Sequence, residues 1–378
     1  MRVPSVLSRR SPRSGSPVRS AVAGVALLAL ALAGCSSASD DAASGGGGGG
    51  GGPVDEDDIV LVQSIRSLSN PYHANWVKGG EMFAESVGME VQTLANEGDS
   101  QQQLSQIKSV LAGDKTVVLN VDPNSSSDTQ AIVRAVQDAG GYVVTHWNKP
   151  DELSPADVGD SWVAHISFDG RVSGYEIANE LFDTMGGSGG IIALQGILDN
   201  VPAQQRYAGL EKALAENPDI QLLDQQTAEW NRNEAFQVTQ TLLAKNSGNV
   251  KGIWAANDDM ALGAIEALKA AGLAGQVPIV GVDAVPEALE AVQAGDAGYA
   301  ATVSSDAFWQ GGAGLALAYQ AATGEYDVAN APDEDRAFYG EQFVITPENV
   351  AEFTTPPTAE DLADDFADPL ARNTGPVD

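Results

Sequence analysis

Residues 250–272 read VKGIWAANDDMALGAIEALKAAG, and residues 273–283 continue LAGQVPIVGVD. An apolar run of strand length, 250–255, ends in the polar triplet Asn257-Asp258-Asp259. Beyond it, after Met260, Leu262, Ile265 and Leu268 recur at three-residue spacing, close to the period of a helix with one buried face. Asp258 stands where an N-cap is expected and Gly272 where the helix should stop. A second apolar run, 277–282, then ends in Asp283. Strand, helix and strand in that order, with polar residues at both strand ends, predict parallel strands bridged by a covering helix.

The same alternation runs outward in both directions. Strand-like runs fall at 59–64, 89–95, 116–121, 142–145, 163–167, 190–195, 220–228, 250–255, 277–282 and 299–303. Helix-like segments lie between them, among them 131–139, 172–185, 202–216, 234–245, 258–271 and 286–294. Ser173 is a further expected N-cap, and Gly140 and Gly295 are further expected stops. Gly186 to Gly190 precede a strand and lack the lysine of a phosphate loop, so they read as a connector. Two doubly wound sheets of five or six strands each would use this chain, and such sheets bind ligands beyond the carboxyl ends of their strands.

The N-terminus predicts export. Arg2, Arg9, Arg10, Arg13 and Arg19 precede an apolar run, 21–32, with no acidic residue among them. The run is about half the ~20 residues that span a bilayer. Ser11-Pro12 after the arginine pair does not fit a twin-arginine signal. Leu32-Ala33-Gly34-Cys35 resembles the lipobox of bacterial lipoproteins, which implies cleavage before Cys35 and a lipid on its thiol; an ordinary cleavage site is the alternative. Cys35 is the single cysteine, so no internal disulfide supports the fold. Residues 35–58, with eight glycines at 45–52 and Asp55-Glu56-Asp57-Asp58, read as a flexible tether. Past the leader, 15 basic and 52 acidic residues leave a net charge near −37, which argues against nucleic acid as a partner.

Several strand-end loops carry residues that a plain turn does not need: Ser67 to His73, Asn120 to Asn124, His146 to Pro150, Gly196 to Arg206, Glu229 to Asn231, Asn257 to Asp259 and Gly281 to Asp283. Ser69-Asn70-Pro71-Tyr72, Asn257-Asp258-Asp259-Met260-Ala261-Leu262-Gly263-Ala264 and Val280-Gly281-Val282-Asp283 resemble the ribose-binding branch of the periplasmic sugar-binding proteins. Residues 163–174, 204–209 and 300–303 match as well, so the resemblance runs from about 59 to about 325. It implies an α/β fold of two Rossmann-like lobes, the type I periplasmic binding protein fold, closing about a three-strand hinge near 164–169, 302–306 and 343–347. The lobes are expected at 59–167 with 306–344 and at 168–305 with 345–355, after a 1–34 leader and the 35–58 tether. Residues 356–378 are expected to be a solvated acidic tail.

The resemblance places Asn70, Tyr72, His73, Asn120, Trp147 and Asn148 in the pocket from the first lobe. Arg206, Trp230, Asn257, Asp283 and Ser305 come from the second lobe and the returning crossover. Asp169 is read as a hinge residue. Amides and charged groups satisfy hydroxyls in pairs, and aromatic faces cover C–H surfaces. Ribose binders carry an Asp-Arg pair where Trp147-Asn148 stand here, which turns the expectation from ribose to another neutral polyhydroxylated solute, a sugar or polyol. Trp147 and Trp230 are expected to face each other across it. The implied partners are that solute, the permease subunits of an ABC importer and the membrane through Cys35; the protein is expected to act as a monomer on the extracytoplasmic face of the cell membrane. A sensory binding protein uses the same lobes and stays open as the alternative. Three histidines, the lone Cys35 and no Gly-x-Ser-x-Gly elbow (the one match, Gly186 to Gly190, precedes a strand instead of following one) supply little for nucleophilic or zinc chemistry, so neither catalysis nor a cofactor is expected.

Overall fold

In the computed structural model, residues 52–377 are described. The expected leader, Cys35 and most of the tether lie outside them. The first sheet is built from β1 (Ile59–Ile65), β2 (Val91–Ala95), β3 (Thr116–Val121), β4 (Tyr142–His146) and β5 (Trp162–Ser167). Between these strands lie α1 (Pro71–Ser86), α2 (Ser100–Leu111), α3 (Ser126–Asp138) and the short α4 (Pro155–Val158). The chain then crosses to α5 (Gly170–Thr184), β6 (Gly189–Gln195), α6 (Val201–Glu216), β7 (Ile220–Thr227) and α7 (Arg232–Lys245). It continues through β8 (Val250–Ala255), α8 (Asp258–Ala270), β9 (Ile279–Val280), α9 (Pro286–Ala294) and β10 (Tyr299–Ser304). After β10 it returns as α10 (Ala307–Thr323), α11 (Asp333–Arg336) and β11 (Ala337–Gly340), and recrosses into β12 (Phe343–Ile345). Last come α12 (Ala363–Ala367) and β13 (Asn373–Pro376).

The first sheet has the order β13-β11-β5-β4-β3-β1-β2 and the second β12-β10-β9-β8-β6-β7. Both are parallel except at one edge, where β13 lies antiparallel to β11 and β12 antiparallel to β10. All ten expected strands form; the central ones are apolar runs buried on both faces, as Leu61, Val118, Val144, Ile192 and Ile253 are, while β2 and β7, at the sheet edges, are only partly buried.

Each lobe is tightened by a close helix pair. A Cβ on Gly79 or Gly311 would strike the backbone of the partner helix where α1 crosses α10; Gly174 and Gly209 do the same for α5 and α6. The cap of α5 is Asp169, not Ser173, and that of α8 is Asn257, one residue before Asp258.

Three expectations are corrected. Residues 343–345 belong to the second sheet, so the third crossover is 341–342 and the first-lobe segment ends before 344. Residues 356–377 are no solvated tail. They form a fourth crossing that returns to the first sheet as β13, with Leu362 and Phe366 buried on the way. Acidic side chains are frequent in that segment, but its large apolar residues, Leu362, Phe366 and the partly buried Leu370, decide its placement. The end of the tether is also docked: Val54 N–H donates to Ala322 O at 2.9 Å.

Candidate functional site

Between the lobes lies a cavity of about 450 Å³, its mouth included, within the usual range for small-molecule sites. Its first-lobe wall starts with Asn70, whose Oδ1 caps α1 by accepting from Tyr72 N–H at 2.9 Å. With Pro71 at the first helical position, this cap points the opening turn, Tyr72 and His73, at the cleft. Beyond β3 and β4 come Asp122, Trp147 and Asn148. The second lobe adds Asn200 and Arg206 from α6, Trp230 after β7, Asn257 after β8 and Asp283 after β9. Every contribution sits beyond the carboxyl end of a strand, as the topology requires.

Backbone strain gathers here. Trp147, Trp230 and Asp283 have φ of 58°, 61° and 123°, three of only seven non-glycine residues with positive φ among those described. Each such residue costs about 1–3 kcal/mol and persists where the surroundings enforce it. Gly196 makes room for one of them, since a Cβ there would overlap the Trp230 ring.

Arg206 is the electrostatic centre. Its guanidinium lies 5.2 Å from the Trp147 ring centre and 5.6 Å from that of Trp230, so both indoles share one cation. It donates to Ala256 O at 2.7 Å and stands 3.7 Å from Asp283, while its buried Nε has no partner among the described residues. Burial pushes the Asp283 carboxyl up, to about 8, against the pull of Arg206 and with the neighbouring Asp258 adding to the rise. On the opposite wall His73 Nε2 meets Asp122 Oδ2 at 3.0 Å, and Asp122 Oδ1 is buried without a partner among the described residues.

The lobes are closed on one another. Asn200 Nδ2 donates to Asn124 O at 2.9 Å, Val201 N–H to Asn148 Oδ1 at 3.2 Å, and Asn70 Nδ2 to Trp230 O at 3.4 Å. All three bonds cross the cleft.

Nine of the eleven expected pocket residues line this cavity: Asn70, Tyr72, His73, Trp147, Asn148, Arg206, Trp230, Asn257 and Asp283. Asn120 does not. It lies within β3, donates to Gly311 O at 2.9 Å and accepts from His146 Nε2 at 2.5 Å. With its pKa driven down to about 3 by burial, His146 is neutral, and Asn120 is its structural partner. Ser305 is buried in the second crossover, off the cavity wall. Asp169 caps α5 at the first crossover, in line with a hinge role. Arg66, Asp122, Asn200 and Pro202 line the cavity unforeseen. Asp122 could have been found, for it is the first residue past the end of β3, where Asn120 is still inside the sheet. No cluster of three His, Cys, Asp or Glu among the described residues could hold a metal ion.

Two α/β lobes closed over a polar, aromatic-walled cavity define a two-lobed binding protein of the type I periplasmic class. The model of the periplasmic binding protein domain family matches residues 62–326, and the chain belongs to that family. It is a binding protein and not an enzyme. It is 32% identical over 219 residues to the D-allose-binding periplasmic protein of Escherichia coli, covering 57% of this chain and 70% of that one. Among solved structures, a twin-arginine translocation pathway signal protein from Burkholderia phytofirmans superposes with a TM-score of 0.80 at 44% identity, over 85% of this chain and 98% of the other. An ABC transporter solute-binding protein from Bacillus halodurans with bound myo-inositol gives 0.67 at 26% identity, over 79% and 97%. No helix among the described residues is long and apolar enough to cross a membrane.

Proposed function

We propose that this protein is a lipid-anchored receptor that captures a neutral polyhydroxylated solute, a sugar or polyol, and delivers it to an ABC importer. The observation that carries the reading is the composition of the cavity wall. Apolar ring faces (Tyr72, Trp147, Trp230) alternate with hydroxyl-satisfying groups (Asp122, Asn257, Asp283, Arg206). A polyhydroxylated solute presents both kinds of surface at once. The names of the relatives, for D-allose and bound myo-inositol, support the same solute class.

Cys35 tethers the receptor outside the cytoplasm, and the lobes swing about the crossovers near 168–169, 305–306 and 341–342. A thermal-shift screen of the purified protein against pentoses, hexoses, inositols, linear polyols, amino acids and nucleosides tests the solute class. A solute at 100 times its Kd adds about 2.7 kcal/mol of stability, a shift of a few degrees. Hits should fall among the sugars and polyols and vanish in Arg206→Ala; a hit confined to amino acids or nucleosides overturns the solute reading. For the anchor, Cys35→Ser should move the protein from the membrane fraction to the soluble one, and an unchanged distribution refutes it.

A further inference from the structure

The first-lobe wall of the cavity hangs on a polar relay that leaves the cavity and ends inside α10. Trp147 Nε1 donates to the Tyr72 hydroxyl at 2.7 Å, and that hydroxyl donates to Gln310 Oε1. Gln310 is fully buried and is not part of the cavity wall. It sits in the first turn of α10, four residues past Asp306 at the second crossover.

Elementary donor and acceptor rules fix the direction of the relay. An indole N–H only donates, so the phenol oxygen accepts there and must place its own proton on an acceptor. Burial raises the phenol's pKa well above its ordinary value, so that proton is present. Gln310 Oε1 is the acceptor, which in turn fixes the amide: Nε2 is left buried without a partner among the described residues. An apolar residue of similar volume would avoid that unpaired donor, so the amide's presence calls for a reason. Trp147 supplies one. Its backbone is left-handed, its ring packs 5.2 Å from Phe168, and Phe168 packs 6.1 Å from Trp309, next to Gln310 in sequence. Apolar packing against Phe168 leaves the ring's rotation to be set by the one polar bond its nitrogen makes.

We propose that Gln310 is a positioning residue for solute binding: through Tyr72 it locks the Trp147 indole in the orientation that meets Arg206 when the lobes close. The proposal rests on the cavity being the solute site, but the relay can be tested without a solute. Gln310→Met keeps the volume and removes the acceptor; Gln310→Glu keeps both volume and an acceptor oxygen; Tyr72→Phe removes the hub.

The chain has six tryptophans, so ¹⁵N-tryptophan labelling gives a small set of indole signals, and Trp147→Phe identifies the relevant one. Loss of one hydrogen bond should speed exchange of the Trp147 indole proton by about threefold to tenfold in Gln310→Met, with recovery in Gln310→Glu. Affinity for the best solute of the screen should fall and recover by the same factors. Exchange in Gln310→Met equal to wild type, with Tyr72→Phe changed, overturns the proposal, because Tyr72 alone would then hold the indole. Should Gln310→Met fail to fold, unchanged indole exchange in Tyr72→Phe overturns it equally. A silent solute panel would count against the proposed function and leave the exchange measurement to decide the relay.

Discussion

Asp258 and Asp283 show at the scale of single residues how burial sets chemistry in this cleft. Asp258 accepts from Tyr299 Oη at 2.6 Å, Thr302 Oγ1 at 2.8 Å and Val285 N–H at 3.0 Å, yet burial still lifts its carboxyl to about 6. Asp283 has fewer donors and rises further, to about 8. An unfolded aspartate titrates near 3.9, so between about pH 4 and pH 8 the folded protein holds protons that the unfolded chain has lost. Stability of the solute-free protein should therefore fall as pH rises through that window. Asp283→Asn should flatten the upper half of the slope, as read by melting temperature from pH 5 to pH 9. A slope identical in the two proteins would assign the effect to general acidic repulsion, which both share. The strand-end loops drew attention to Asp283, Arg206 and both tryptophans, which a plain turn does not need, and the family resemblance placed them in the pocket. It chose Asn120 over Asp122 because a two-residue slip separates a residue inside the sheet from one beyond it. Only the pairing of Asn120 with His146 and Gly311 shows on which side each falls.

At the scale of elements, the ten core strands and their helices were legible because apolar periodicity is local. The C-terminal strap was not, because its placement depends on surfaces made elsewhere. Leu362, Phe366 and Leu370 recur every four residues among acidic neighbours, too short a run to say what it packs on; what buries Leu362 and Phe366 is the face offered by α1 and α10, where Phe83 meets Phe366 at 5.7 Å. Arg372 then ties the strap to the second crossover. It reaches Asp306 at 2.6 Å and grips Asp365 through two bonds at 2.6 and 2.9 Å, lying 5.5 Å from the Trp309 ring. Its carbonyl accepts from Glu341 N–H at 3.1 Å, at the third crossover. These charged bonds are partly exposed, so Arg372→Ala should cost on the order of 2 kcal/mol. Deleting 357–377 should cost more, since it also uncovers the apolar face and the β11 edge. Urea melts measure both, and a deletion as stable as the full chain would mean that the segment is a tail after all.

At the scale of the whole molecule, function is the difference between open and closed lobes, and closure was the part least visible in the sequence. It arises from backbone groups meeting across the cleft, and no residue pattern encodes a carbonyl's position. Beside the cavity three hydrogen bonds cross the cleft, Arg171 and Gln205 reach the Tyr339 hydroxyl of the other lobe at 3.2 and 3.4 Å, and the Arg206 guanidinium lies over Trp147 of the other lobe. At about 0.5–1.5 kcal/mol per hydrogen bond, such a set is worth a few kcal/mol, the scale a bound solute can tip. Asn200 allows a clean test because its two ends serve different lobes. Oδ1 accepts from the Trp230 indole at 2.9 Å within the second lobe, while Nδ2 donates to Asn124 O across the cleft. Asn200→Asp keeps the shape and the acceptor for Trp230 but sets an oxygen against the Asn124 carbonyl, so the bond becomes a repulsion felt only when the lobes are shut. Solute affinity should drop by about ten- to a hundredfold, almost entirely through faster dissociation, because encounter with the open form is untouched. In solution scattering the solute-free variant should be at least as extended as wild type, and it should need more solute to contract. If stopped-flow traces instead show slower association with unchanged dissociation, the bond acts before closure, and the Asn200–Asn124 contact is not a latch.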